Sequence, residues 1–250
     1  MQPVTRPTRV QLCGPFAVEL SGRRVDHVLP GRQARLLFAY LVSARHQPVT
    51  RDALIDVLWT GDPPAGAAAA LSVLVSKVRA VVGRDIVRGR SELSVVLPEP
   101  AHIDVETALA ALHAAESAVA VRDWRRAWSP ALTAHFVARR PFLPEAPAAW
   151  ADAWRRRLTD VHARALECYA TACLELGGPE LPGAERGARE LLEVAPLRET
   201  GHLLLMRVLA ARGNVAEALT AYEQLRVLLR DELGVNPGPA LQEEYARLLA

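Results

Sequence analysis

Val10, Leu12, Phe16, Val18 and Leu20 fall at even spacing, interrupted only around Gly14-Pro15. Alternation with period two predicts half-buried strands. Ser21-Gly22 supplies a turn, and Arg23-Arg24-Val25 can begin a return strand. The period then lengthens. Leu36, Leu37, Tyr40 and Leu41 recur at helical spacing and predict a helix from about Arg32 to Ala44, ended by Pro48. Thr50 is a favourable N-cap with Asp52 in the first turn, so a short second helix should run to about Trp59. Gly61-Asp62-Pro63-Pro64 reads as a loop, and a third helix spans about Ala65 to Val82 before Gly83. Ile86-Val87 and Leu93 to Leu97 flank Arg88-Gly89-Arg90-Ser91, which predicts a hairpin.

From Asp104 onward the pattern is almost wholly helical. Segments 104–121, 123–138, 148–176, 184–194, 199–212, 214–232 and 238–249 carry Leu, Ala and Val at 3.6 spacing, separated by prolines such as Pro141, Pro144, Pro147, Pro179 and Pro237. A weak repeat recurs at an offset of 34, pairing Ala184 with Ala218, Leu191 with Leu225 and Val194 with Leu228. That offset is the period of tetratricopeptide helix pairs. An ordinary helical bundle with a fortuitous match is the alternative. The expected fold class is mainly α with a small β part: an N-terminal winged helix-turn-helix followed by an all-α, tetratricopeptide-like domain. Pro98-Glu99-Pro100 reads as the linker, so the expected domains are 1–98 and 99–250, the first folding on its own.

Composition sharpens this. Of 250 residues half are hydrophobic but only 5% are aromatic, so Ala, Leu and Val must fill most of the core, which suits close helix packing. Lys77 is the sole lysine among 30 basic residues. The net charge of +2 conceals an asymmetry. Residues 1–98 hold thirteen Arg or Lys against seven Asp or Glu, and the remainder is net acidic. A basic first part suits a polyanion such as double-stranded DNA, with chance asymmetry as the alternative. Cys13, Cys168 and Cys173 are too few and scattered for a disulfide framework or a zinc site, and are expected as buried free thiols. MQPVTRPTR has no apolar core of a signal peptide, and no apolar run reaches the ~20 residues of a membrane span. A soluble cytoplasmic protein with no membrane association is expected.

On a wheel at 100° per residue, Leu71, Leu74, Val75, Val78 and Val82 form a core stripe on the third helix. Ala69, Val73, Ser76 and Ala80 lie opposite, with Lys77 and Arg79 on the two flanks. A helix with small residues outward and a cation on each side can enter a major groove, its cations facing the phosphate walls and its small residues the base edges. The alternative is a surface helix with ordinary solvated charges. The candidate DNA-binding residues are Arg32, Arg51, Ser72, Val73, Ser76, Lys77 and Arg79, with Arg88 and Arg90 on the wing. No Walker loop, G-x-G-x-x-G, H-E-x-x-H or G-x-S-x-G is present, so neither an enzyme nor a cofactor is indicated. His102-x-Asp104 reads as a helix-start carboxylate rather than a metal site. The dispersed His46, His113, His135, His162 and His202 receive no role, and no metal is expected. Trp124, Trp128, Trp150 and Trp154 read as packing residues.

The residues also carry a resemblance. Arg51-Asp52-Ala53-Leu54-Ile55-Asp56-Val57-Leu58-Trp59, then Pro63-Pro64, then Leu71 and Val75-Ser76-Lys77-Val78-Arg79 resemble the DNA-binding domain of the Streptomyces antibiotic regulatory protein family. Leu197-Arg198-Glu199, Ala216-Glu217-Ala218-Leu219-x₂-Tyr222 and Asp231-Glu232-Leu233-Gly234-Val235-x-Pro237-Gly238-Pro239-Ala240-Leu241 resemble that family's bacterial transcriptional activator domain. The likeness runs from about Arg9 to Leu249. It implies a pathway-specific transcription activator that binds promoter direct repeats, as a homodimer on DNA, and recruits RNA polymerase holoenzyme with its sigma factor. Ser76, Lys77 and Arg79 match the family's recognition-helix string. The chain departs from it at Ala68, Ala69 and Leu74, and the wing reads Glu92-Leu93 where the family usually has Gly-Tyr. The alternative function is a helical-repeat interaction or ligand-sensing regulator with weak DNA binding.

Overall fold

A computed structural model describes residues 7–250 other than Thr60, Asp62 and Pro147. The start of the chain used for the signal-peptide reading, and the loop positions Asp62 and Pro147, therefore lie outside the described residues. The chain divides into two compact units. One holds the chain up to Glu106 together with Arg140–Arg157; the other holds Thr107–Arg139 and Leu158–Ala250.

The first unit opens with β1 (Thr8–Gln11), β2 (Ala17–Leu20) and β3 (Arg23–Arg24), each antiparallel to the one before, with Arg9 opposite Glu19 and Glu19 opposite Arg24. Val10, Val18 and Leu20 are buried, as alternation requires. Next come α1 (Gly31–Ser43), β4 (Val49–Thr50), α2 (Arg51–Leu58) and α3 (Ala67–Val82). Then β5 (Val87–Arg88) and β6 (Glu92–Val95) form the hairpin. β6 pairs with both β5 and β4 in a small second sheet. This is the winged-helix order: three helices between a leading sheet and a closing hairpin.

A single boundary after Pro98 is not what the structure has. The chain continues directly into β7 (Ala101–Ile103), which lies parallel beside β1 with Thr8 opposite Ala101 and Val10 opposite Ile103. Asp104, the first residue of α4 (Asp104–Ala120), then accepts hydrogen bonds from the backbone N–H groups of Leu12 and Cys13 at 2.9 and 2.8 Å. Residues 140–157 also pack in this unit. Cys13 forms a β-bridge with Phe142, and the Phe142 ring stacks on Trp154 and meets Trp150 edge-on, while Trp150 meets Tyr40 of α1 edge-on. The linker reading fails because Pro98-Glu99-Pro100 interrupts helix and strand locally, yet the next apolar residues complete the first sheet.

The second unit is all-helical: the remainder of α4, α5 (Trp124–Ala138), α6 (Ala149–Leu176) from Leu158 onward, α7 (Leu181–Val194), α8 (Glu199–Ala211), α9 (Val215–Leu233) and α10 (Pro239–Leu249). α7 pairs with α8, and α9 packs on both α8 and α10. Of the six repeat positions, Ala184, Leu191, Ala218 and Leu225 are fully buried and Val194 and Leu228 partly buried, so the 34-residue offset marks successive helix pairs of tetratricopeptide type. α7 approaches α6 closely because a methyl group at Gly183 or Gly187 would press on the Tyr169 side chain. All three cysteines are buried and free, and burial pushes Cys13 and Cys168 up to about 12, where they are inert thiols at neutral pH. No helix among the described residues is long and apolar enough to cross a membrane.

Candidate nucleic-acid interface

α3 is placed by its apolar stripe. Leu71, Leu74, Val75, Val78 and Val82 are buried, leaving Ser72, Val73, Ser76, Lys77 and Ala80 less buried along the other side. Val73 is 55% exposed there, an apolar side chain free to meet a thymine methyl. α2 is started by Thr50, whose side chain accepts from the Ala53 N–H. Arg51, the first residue of α2, donates to Ser72 Oγ at 2.6 Å, to the Ala68 carbonyl at 3.3 Å and to the Arg90 carbonyl at 3.4 Å. One guanidinium therefore bridges α2, α3 and the wing.

Arg79 makes a second bridge. Its Nε donates to the Val87 carbonyl at 2.8 Å and its Nη2 to the Gly89 carbonyl at 2.6 Å, clamping the wing against the last turn of α3. The sequence reading sets Arg79 facing a phosphate wall, as the counterpart of Lys77. In the folded unit, two of its five donors are committed to the wing backbone. Arg88 turns back on its own loop, donating to the Asp85 carbonyl at 2.7 Å.

Between α2, α3 and the wing lies a cleft of about 330 Å³ lined by Arg51, Arg79, Arg84 and Arg90 with Ser72 and Ser76. Among the described residues, no carboxylate lines it. The Arg79 guanidinium is held below its ordinary range by burial, and by the neighbouring charges of Arg84 and Arg51. It stays charged at any physiological pH. Like charges gathered in one cleft favour an anion in their midst, and a phosphodiester is the anion that an Arg fork fits.

Of the nine residues named from sequence, Arg51, Ser72, Ser76, Arg79 and Arg90 line this cleft. Val73 and Lys77 lie exposed on the same helix, and Arg88 lies exposed on the wing. Arg32 is placed elsewhere. It lines a separate cleft of about 230 Å³ with Pro15, Phe16, Arg35 and Leu143. Arg84 escapes the sequence reading; its signal is a cation directly after the helix-ending Gly83, inside the basic part of the chain. Two of the histidines given no role, His135 and His162, meet Glu190 in the second unit.

The architecture defines a winged helix-turn-helix unit joined to a tetratricopeptide-like helical unit. Residues 103–249 match the family model described as Bacterial transcriptional activator domain, and the chain belongs to that family, of the Streptomyces antibiotic regulatory protein type. It is 31% identical over 266 residues to the transcriptional regulator RedD of Streptomyces coelicolor, covering 96% of this chain and 70% of that one. It is 32% identical over 217 residues to the regulatory protein AfsR of Streptomyces griseus, covering 87% of this chain but only 22% of AfsR. The chain thus spans about a fifth of AfsR's length. A solved structure of Mycobacterium tuberculosis EmbR in complex with a phosphopeptide superposes with a TM-score of 0.85 at 25% identity, covering 97% of this chain and 65% of that one. RedD is named as a transcriptional regulator and AfsR as a regulatory protein.

Proposed function

We propose that the protein is a sequence-specific, DNA-binding transcription activator, acting in the cytoplasm at the nucleoid. α3 enters the major groove with Val73 and Ser76 toward the base edges, and the Arg51, Arg79, Arg84 and Arg90 cleft receives a backbone phosphate. Lys77, Arg88 and Arg90 contact flanking backbone. Arg32, outside the cleft, reaches DNA only on a longer footprint. The helical unit recruits RNA polymerase holoenzyme with its sigma factor, and copies assemble side by side on promoter direct repeats of one pathway, of secondary metabolism. The observation that carries this reading is the four-arginine cleft between the recognition helix and the wing, with no carboxylate among its described lining residues.

A second reading, a protein-interaction or ligand-sensing regulator with weak DNA binding, is favoured by one feature. Ala68, Ala69 and Ala70 are exposed on α3 and offer a groove no side-chain hydrogen-bonding group. Gel shifts with genomic fragments from around the gene, at two salt concentrations, separate the two. Retarded direct-repeat fragments, and a salt slope about two units shallower in the Arg84→Ala, Arg90→Ala double variant, support the first. Binding that is weak and indifferent to sequence supports the second.

A further inference from the structure

His135 on α5, His162 on α6 and Glu190 on α7 come together in the second unit, far apart in sequence and outside the DNA-facing surface. His135 Nδ1 lies 3.1 Å from His162 Nε2, and His162 Nε2 lies 3.5 Å from Glu190 Oε1. The other carboxylate oxygen is 3.9 Å from His135 Nε2. One donor atom from each of the three residues falls within 4.8 Å of the others. Zinc bonds of about 2.0–2.2 Å in tetrahedral array place neighbouring ligand atoms about 3.3–3.5 Å apart. Both shorter separations are close to that spacing.

The three donor atoms converge from separate helices, and two imidazole nitrogens with one carboxylate oxygen are a donor set that a zinc site uses.

We infer that His135, His162 and Glu190 form a binding site for a divalent transition-metal cation, with zinc the best fit. Two imidazoles and one carboxylate select Zn²⁺-like ions over Mg²⁺ or Ca²⁺, which take oxygen ligands. The two histidines are buried at 5% and 9% exposure, whereas the Glu190 side chain is 36% exposed. Glu190 therefore leaves a path for the ion and a fourth position for water. The three ligands come from three successive helices, so a bound ion ties α5 and α6 to α7, the first helix of the repeat pairs.

The full chain, stripped with chelator, is titrated with Zn²⁺ by calorimetry and by thermal melting, and with Co²⁺ by visible absorption. One Zn²⁺ per chain is expected, with a melting temperature raised by about 5–10 °C at a hundredfold excess over Kd. Co²⁺ should give the intense visible bands of a four-coordinate ion. Glu190→Gln, at a half-exposed position that keeps the fold, should weaken Zn²⁺ at least about tenfold, and His162→Gln should abolish stoichiometric binding. His46→Gln and His113→Gln, both on the surface, should bind as the wild type does. Absence of stoichiometric Zn²⁺ binding overturns the site and leaves a His–His hydrogen bond. Binding undiminished in Glu190→Gln also overturns it, because the ion then sits elsewhere, and this holds even if His162→Gln does not fold.

Discussion

Arg79 and Lys77 are two residues apart on one helix and differ in what an alanine would remove. Arg79→Ala deletes both hydrogen bonds that hold Val87 and Gly89 against α3, so the first unit should lose about 1–3 kcal/mol. Lys77 is exposed, so Lys77→Ala should leave the melting temperature unchanged while the salt slope of DNA binding flattens by about one unit. Thermal melts read beside salt-dependent anisotropy check the pair. Equal melting temperatures for both variants would show that the Arg79 clamp contributes nothing. A lysine at position 79 should not restore stability, because one ammonium cannot span two carbonyls as the guanidinium fork does.

Glu244 is the corresponding residue in the helical unit. It is 6% exposed and pairs with Arg247 on its own helix and with Arg207 of α8 at 3.3 Å. The Arg247 hydrogen bond, helped by Arg207 and opposed by burial, holds its carboxyl below the ordinary 4.5. A depressed folded-state value means that the stabilisation is complete above about pH 4.5 and is lost as the pH falls through the folded-state value. Glu244→Gln should therefore cost about 1–2 kcal/mol at pH 7. The gap to wild type should close progressively below about pH 4.5, as urea denaturation across about pH 3–7 would reveal. A gap that is constant with pH would mean that packing, and not charge, makes the contact.

At the scale of the element, α3 and the wing behave as one device. The helix is positioned by an apolar stripe that the 3.6 period already displays. The wing depends instead on one glycine. Gly89 has φ +91°, and a Cβ there would overlap the Glu92 carbonyl oxygen. Gly89→Ala should cost at least about 1–3 kcal/mol through the left-handed backbone alone. It should also release the carbonyl that Arg79 grips. Amide exchange at Leu93 and Val95 would rise in the variant while α1 stays protected. The helix pairs of the second unit are more forgiving, because their burial is distributed over many Leu and Ala contacts and over Tyr222 stacked on Tyr245 at 4.1 Å.

Over the whole chain, the winged-helix unit is built from discontinuous sequence. Phe142 lies far beyond Pro98 in the chain, is 1% exposed, and sits against Trp150 and Trp154. Phe142→Ala should cost about 3–5 kcal/mol in the first unit and reduce DNA binding, although the sequence pattern alone places this residue in the helical domain. A fragment ending at Pro98 lacks β7, the Asp104 carboxylate that holds Leu12 and Cys13, and this aromatic cluster. It should show broad, non-cooperative melting where the full chain shows a cooperative transition. A sharp transition in the fragment would restore the single boundary at residue 98.

Local pattern accounts for the elements. The even spacing from Val10 to Leu20, the stripe from Leu71 to Val82 and the prolines between helices each express steric or periodic constraints within a few residues, so strands, helices and the wing turn are readable without contacts. The 34-residue offset is readable for the same reason, since each helix pair meets its neighbour in the same way. Long-range placement is not. Whether Arg79 faces phosphate or grips Val87 and Gly89 depends on where the hairpin folds back. Arg84 gains meaning only when Arg51, Arg79 and Arg90 converge on it, and β7 completes the first sheet by returning to β1 across the whole winged helix. His135, His162 and Glu190 sit on three helices with no shared local pattern, so only the packing of those helices brings their donor atoms together. Periodicity reports which face of an element is apolar, whereas the partner of a polar group is set by the path of the whole chain.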